Sequence, residues 1–298
     1  MLTAVLFGAL IAPTDPVAVL GILKTIKIPK SLETKIAGES LFNDGVGIVV
    51  FLIVVSIAVS ITDPNAQAAA PSALGVIKLF CQEALGGAAL GLISGWLAYR
   101  AIRKINEHNL EVLITLALVM GAYSIAIVLH LSGPIAVVVA GLLIGNHGKR
   151  FAMEDTTRDH VTKFWSLLDE IMNSVLFLLI GFEILYLSWS GNIVLFAILS
   201  IPIVLLARLI SVATPLSILK LNQEFTKGAI PVLAWGGLKG GISVALALSL
   251  PEGPEKPIIL AATYAVVVFS IVGQGLSVKH VIRLTTGETR IKERKNKL

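Results

Sequence analysis

The sequence predicts an all-α polytopic membrane protein with about nine transmembrane helices, two of them broken. Three observations predict it. Hydrophobic residues make up 55% of the 298 and charged residues 14%, with a mean hydropathy of +0.86; soluble domains carry about 25% charge. The apolar residues fall into runs of about 20, the length that carries a helix across hydrocarbon. Basic residues gather between alternate runs. No strand-like alternation is present, which argues against a β-barrel. Cys81 is the single cysteine, so no internal disulfide is possible. The net charge of +5 lies in loops and is read as orientation, not as nucleic-acid binding.

Taken in order, the first run covers residues 2–23 and is interrupted by Pro13-Thr14-Asp15-Pro16. Proline lacks a backbone donor and biases the preceding residue away from helix, so two half-helices with an unwound crossing are expected. The second run, residues 36–61, carries Glu39, Ser40, Asn43 and Asp44 at its head. Asp63-Pro64 and residues 66–72 make a loop. The third, 74–98, holds Gly86, Gly87, Gly91 and Gly95, read as close helix packing. Its Glu83 is read as partly hydrated, with an ion relay as the alternative. The fourth is 110–129. The fifth, 135–144, follows Ser132-Gly133-Pro134 and is short.

The sixth run begins amphipathically near His160 and continues through Phe182; Asp169, Glu170 and Asn173 are read as interfacial, and Glu183 lies at its outer end. The seventh, 193–219, has Arg208 in its apolar middle. The eighth, 229–250, contains Gly236-Gly237-Leu238-Lys239-Gly240-Gly241. Glycines at this density weaken a helix, so a second broken span is expected. The ninth is 258–278. Residues 1–282 form the transmembrane domain and 283–298 a basic tail.

The loop charges set an orientation. Lys24, Lys27, Lys30 and Lys35, then Arg100, Arg103 and Lys104, then Lys149, Arg150, Arg158 and Lys163, then Lys220 and Lys227 occupy alternate loops, and the tail adds more. The positive-inside rule places these loops and the C-terminus in the cytoplasm.

A polar cluster in an apolar helix is costly in a bilayer and is read as functional. On a helix Ser40 and Asp44 share one face, and Glu39 and Asn43 share another. The alternative is a solvated helix start with Ser40 as N-cap. Two interrupted spans far apart in the chain point to a transport site at the breaks, where unwound carbonyls must face the protein interior. Asp15 and Lys239 are the charges at the two breaks, placed to offset half-helix dipoles; snorkelling of Lys239 to an interface is the other reading.

The expected ligands are all oxygen: Asp15, Asp44, the Ser40 hydroxyl and Thr14 through hydroxyl or carbonyl. Such a set suits a hard cation. A carboxylate in a partly dry cavity can hold either a proton or a cation near neutral pH. If the two exclude one another, and the site faces one side at a time, cation/proton exchange results. Arg208 stays charged and needs an anion. Glu39 is the candidate, with Asn43 hydrogen-bonding into the pair; reaching the cytoplasmic interface is the alternative. His108, His130, His147, His160 and His280 lack ligand spacing. No nucleotide-binding, zinc-protease or serine-hydrolase motif occurs, so neither enzyme activity nor a cofactor is expected.

These residues resemble the monovalent cation:proton antiporters of the NhaP/NHE type. Ala12-Pro13-Thr14-Asp15-Pro16 is similar to that family's first crossing, and Gly38-Glu39-Ser40-Leu41-Phe42-Asn43-Asp44-Gly45 to its acidic motif. Ala207-Arg208 resembles its buried-arginine helix, and Trp235 through Ser243 its second crossing. The resemblance implies an inverted-repeat fold of about thirteen helices, a homodimer and an elevator-like movement. It implies that Asp44 carries cation and proton in turn, that Asp15, Thr14 and Ser40 complete the Na⁺ site, and that Glu39, Asn43, Arg208 and Lys239 form a supporting network. It also implies electroneutral exchange, because Asn43 precedes Asp44, and a location in the prokaryotic inner membrane. The chain is read as N-terminally incomplete, lacking about four family helices. Lys239 stands where the family has arginine. The competing readings are a truncated, non-transporting membrane or interaction protein and a sodium-coupled solute symporter.

Overall fold

The computed structural model describes residues 2–15, 30–62, 73–105, 107–148, 153, 155–186, 191–219 and 228–286. Every regular element among them is helical. Six helical stretches are long and apolar enough to cross a membrane: Ile36–Ile61, Leu74–Ile102, His108–Val128, Thr156–Phe182, Gly191–Leu219 and Lys256–Ile282. A bent pair, Ala229–Gly236 and Gly241–Leu248, makes a seventh when counted as one span. The expected count of about nine is not reached among the described residues. Gly133–Asn146 and Leu2–Ile11 are helical but too short to qualify. The second half of the first run, Asp63-Pro64 and the loop after it, and the tail beyond residue 286 lie outside the described residues.

The chain divides into two compact units. One is Gly45–Leu178. It contains α3 (Ala73–Ile102), α4 (His108–Val128) and α5 (Gly133–Leu143), which continues as a π-turn through Gly148. It also holds most of α6 (Asp155–Tyr186). α3 packs most closely on α5. Gly87, Gly91 and Gly95, one turn apart on α3, face Ser132, Ala136 and Ala140 at the same spacing. A Cβ at Gly87 would stand 2.6 Å from the Ser132 carbonyl oxygen, so two small-residue stripes let these backbones touch. Ser132 caps α5 by accepting from the Ile135 N–H, with proline in the first turn. Behind them Ala98, Ile102, Ile144, Met153 and Val161 form a core beside Trp165. The Trp165 indole donates to Thr115 Oγ1 at 3.0 Å. Asp169 and Glu170 are exposed.

The other unit is Met1–Asp44 with Leu179–Leu298. It contains α1 (Leu2–Ile11), the head of α2 (Lys30–Thr62), α7 (Gly191–Leu219), α8 (Ala229–Gly236) and α9 (Gly241–Leu248). α10 (Lys256–Phe269), a π-turn over Ser270–Gln274, and α11 (Gly275–Thr286) complete it as one continuous span. That last helix runs on past residue 282, where the sequence places the start of the tail. α7 packs on α8 and α10, α8 on α11, and α1 on α9 and α10. Ile36, Val212, Val232, Leu233, Leu238, Val278 and Ile282 are its buried core. All the candidate site residues lie in this unit.

Candidate functional site

A helix that stops inside an apolar domain leaves its last carbonyls without intrahelical partners, and lipid cannot supply them. At the first break α1 ends at Ile11 and the chain runs non-helically through Asp15. At the second, α8 ends at Gly236 and α9 starts at Gly241, with a bend of 42°. Gly237, at φ −76° and ψ 65°, makes a tight inverse turn closed by Leu238 N–H on the Gly236 carbonyl at 2.9 Å.

The two breaks satisfy one another. Asp15 N–H donates to the Leu238 carbonyl at 2.7 Å. Lys239 is buried, and its Nζ donates to the carbonyls of Ala12 at 2.9 Å and Pro13 at 3.2 Å. A cation thus sits at the negative end of α1. The Asp15 side chain lies against Gly240, the residue that opens α9: a Cβ there would stand 2.6 Å from Asp15 Oδ2. An anion thus sits at the positive end of α9. The snorkelling alternative for Lys239 is excluded by this geometry.

α2 lies across the first break. Ser40 is mid-helix and buried, not an exposed N-cap. Its hydroxyl donates to the Thr14 carbonyl, and Thr14 Oγ1 lies 3.3 Å from Ser40 Oγ. One turn on, Asp44 Oδ1 accepts the Thr14 N–H at 2.9 Å. A carboxylate has further lone pairs, which suit a proton or a hard cation.

Glu39 and Arg208 meet as the sequence predicts. Nη1 reaches Oε1 at 2.7 Å and Nη2 reaches Oε2 at 2.8 Å, a two-pronged pair. Nη2 also takes the Leu233 carbonyl at 3.2 Å, one of those orphaned where α8 stops. Arg208 therefore does not reach an interface. Gly237 makes room for it, since a Cβ there would stand 2.6 Å from the guanidinium carbon.

Asn43 differs from expectation. Its amide donates to the Ala12 carbonyl at 2.8 Å and to Thr14 Oγ1 at 3.3 Å, not into the Glu39–Arg208 pair. Asn43, one turn later than Glu39, is level with the orphaned carbonyls of the break. Sequence reasoning also misses Ser270 and Gln274 in the last span. Ser270 Oγ accepts the Lys239 N–H at 2.8 Å and donates to Gln274 Oε1 at 2.7 Å. Gln274 Nε2 donates to the Trp235 carbonyl at 3.1 Å. The available signal was two polar residues four apart in an otherwise apolar run.

A profile of the sodium/hydrogen exchanger transmembrane family matches residues 1–284, nearly the whole chain. The chain belongs to the sodium/hydrogen exchanger family. It is similar to three curated members of that family. The Na(+)/H(+) antiporter NhaP of Pseudomonas aeruginosa is 49% identical over 282 residues, covering 93% of this chain and 65% of that protein. The Na(+)/H(+) antiporter NhaH of Halobacillus dabanensis is 38% identical, covering 93% of this chain and 67% of the relative. The low-affinity Na(+)/H(+) antiporter NhaS1 of Synechocystis is 35% identical, covering 94% and 53%. The chain thus spans about two thirds or less of the length of these exchangers.

Proposed function

We propose that this chain carries the ion-exchange site of a secondary antiporter that moves Na⁺ (or Li⁺ or K⁺) against H⁺. Asp44 binds cation and proton in turn, and Thr14, Ser40 and Asp15 complete the oxygen set. The observation that carries the reading is the convergence at the first break: Asp44 and Ser40, four residues apart on α2, both bond to Thr14, one to its N–H and one to its carbonyl. A backbone held from both sides presents oxygens in a fixed position, which is what a desolvated cation needs in exchange for its water. Glu39 is paired with Arg208, which leaves Asp44 as the exchangeable charge. The relatives' names, Na(+)/H(+) antiporters, support exchange over solute symport.

The same reading makes exchange electroneutral, one cation per proton, as the resemblance implies from Asn43 preceding Asp44. It makes the protein a transporter rather than an enzyme, with no cofactor, working as a homodimer in the inner membrane with its basic residues 283–298 in the cytoplasm. Residues 1–282 act as the transmembrane domain.

The test is cation-driven proton movement in vesicles containing this chain, read with a pH dye after adding Na⁺, Li⁺ or K⁺. Exchange that disappears with Asp44→Asn is the expected result. Undiminished exchange by that variant, or an inserted chain that responds to no alkali cation, would overturn the proposal.

A further inference from the structure

The second break has a brace that comes from outside the crossing. Trp235 is in the last turn of α8, and Lys239 is in the unwound stretch before α9. The carbonyl of the first accepts from Gln274 Nε2, and the N–H of the second donates to Ser270 Oγ. Ser270 and Gln274 are joined by their own hydrogen bond, so the three bonds close a bridge from one lip of the break to the other. Ser270 is 0% exposed and Gln274 2%. The pair brackets the π-turn, Ser270–Gln274, that interrupts the last span. A π-turn adds a residue to one helical turn, which rotates everything after it by about 100° relative to an unbroken α-helix. The rotation is used: Trp235 Nε1 donates to Ser277 Oγ at 2.9 Å, just beyond the π-turn.

The brace leads to the first break. Ser270 fixes the Lys239 N–H. The Lys239 ammonium and the neighbouring Leu238 carbonyl then fix Ala12, Pro13 and Asp15. Between them Thr14 holds Asp44 Oδ1. Apart from the bond between them, the side-chain bonds of Ser270 and Gln274 go to the lips of the break.

We propose that Ser270 and Gln274 are positioning residues for exchange, holding the second break in the shape that places Lys239 and Leu238, and through them Thr14, against Asp44. The proposal rests on the exchange reading above and adds residues outside the crossing to it.

The experiment compares the parent with Ser270→Ala, Gln274→Leu and the conservative Ser270→Thr. Two readouts are taken. The first is the apparent KM and maximal rate for Na⁺ in vesicles. The second is deuterium uptake over residues 12–15 and 235–241 by mass spectrometry. Ser270→Ala removes the acceptor of a buried N–H, and Gln274→Leu removes the donor to the Trp235 carbonyl. The expected result for Ser270→Ala and Gln274→Leu is therefore an apparent KM raised about tenfold, with the maximal rate reduced less and faster uptake in both segments. Ser270→Thr restores the hydroxyl and returns both readouts toward the parent. Faster uptake at 235–241 with unchanged uptake at 12–15 would confine the brace to its own helix and overturn the proposal. Unchanged KM in a parent that exchanges would overturn it as well. A parent that moves no protons refutes the exchange reading instead, and uptake at 12–15 still decides whether the brace reaches the first break.

Discussion

The backbone N–H of Asp15 donates to the carbonyl of Leu238, 223 positions further along the chain, at 2.7 Å. Asp15 lies in the non-helical stretch that follows α1, and Leu238 in the one between α8 and α9. Neither break could persist alone in an apolar domain, because each would leave buried polar backbone unpaired. The crossing is thus one unit: changing the geometry of either break must disturb the other.

Gly237 and Gly240 are the places where that geometry tolerates no side chain. A Cβ at Gly240 would stand 2.6 Å from both Asp15 Cβ and Asp15 Oδ2. At Gly237 it would enter the Arg208 guanidinium, which Glu39 and Leu233 hold in place. Overpacking of this kind costs about 1–3 kcal/mol. Gly240→Ala and Gly237→Ala should each lower the unfolding temperature in detergent. Gly121→Ala is the control, since nothing stands within 4 Å of a Cβ there. It should be neutral or slightly stabilising through helix propensity. Equal behaviour of all three would refute the packing account.

Lys239 supplies hydrogen bonds as well as charge. Lys239→Met keeps the length and apolar stem but removes the donor on the Ala12 and Pro13 carbonyls. Ala12 keeps Asn43, and Pro13 loses the donor described for it. A loss of about 1–3 kcal/mol is expected, that of one buried acceptor left unpaired. Lys239→Arg keeps the charge but swaps a compact ammonium for a planar fork, and should fall between parent and Lys239→Met. Chemical unfolding in one detergent ranks the three; a Met variant as stable as the parent would contradict the geometry.

Glu39 and Arg208 can be tested as a pair. Arg208 is 10% exposed and Glu39 35%, so removing one partner costs less than in a fully buried pair, about 1–3 kcal/mol, because the other charge stays behind. Arg208→Met and Glu39→Gln should each destabilise. Joined in one chain they should cost less than their sum, with a coupling of about 0.5–3 kcal/mol. Strict additivity would mean that the pair stabilises nothing beyond its separate contacts.

What the sequence showed and what it hid have physical reasons. The all-α class was legible because long apolar runs admit one solution in lipid. Pairing of Arg208 with Glu39 was legible because a permanent charge in an apolar mid-span must find an anion, and few are within reach. The Gly87, Gly91 and Gly95 stripe was legible as packing because its spacing is helical. The span count was not: the fifth run forms a helix, Gly133–Asn146, that is too short to cross by itself. The direction of Asn43 was hidden because it depends on which carbonyls the break orphans, a fact of three dimensions. Ser270 and Gln274 were hidden for a different reason. Hydroxyls in apolar helices usually bond back to their own turn, as Ser94 does to Leu90 and Thr263 to Ile259, so the serine by itself does not say that its bonds lead elsewhere, and its four-residue spacing from Gln274 is a weak signal.

Asp44 and Ser40 should separate stability from transport. Asp44→Asn keeps a side-chain oxygen that can accept the Thr14 N–H, the hydrogen bond described for the native carboxylate at 2.9 Å. It removes the ability to ionise and turns one acceptor oxygen into an NH2 donor. Stability should change by less than about 1 kcal/mol, while cation-dependent proton movement is abolished. Ser40→Ala does the reverse in proportion. It deletes the donor to the Thr14 carbonyl, and Thr14 is 3% exposed, so water cannot replace it. That should cost about 1–3 kcal/mol and raise the apparent KM for Na⁺, yet leave measurable exchange because Asp44 is intact. Thermal unfolding and vesicle exchange on the same preparations give the two axes. If Ser40→Ala were silent in stability and Asp44→Asn were the one to unfold, Asp44 would be a structural residue and the oxygen set would need another charge at its centre.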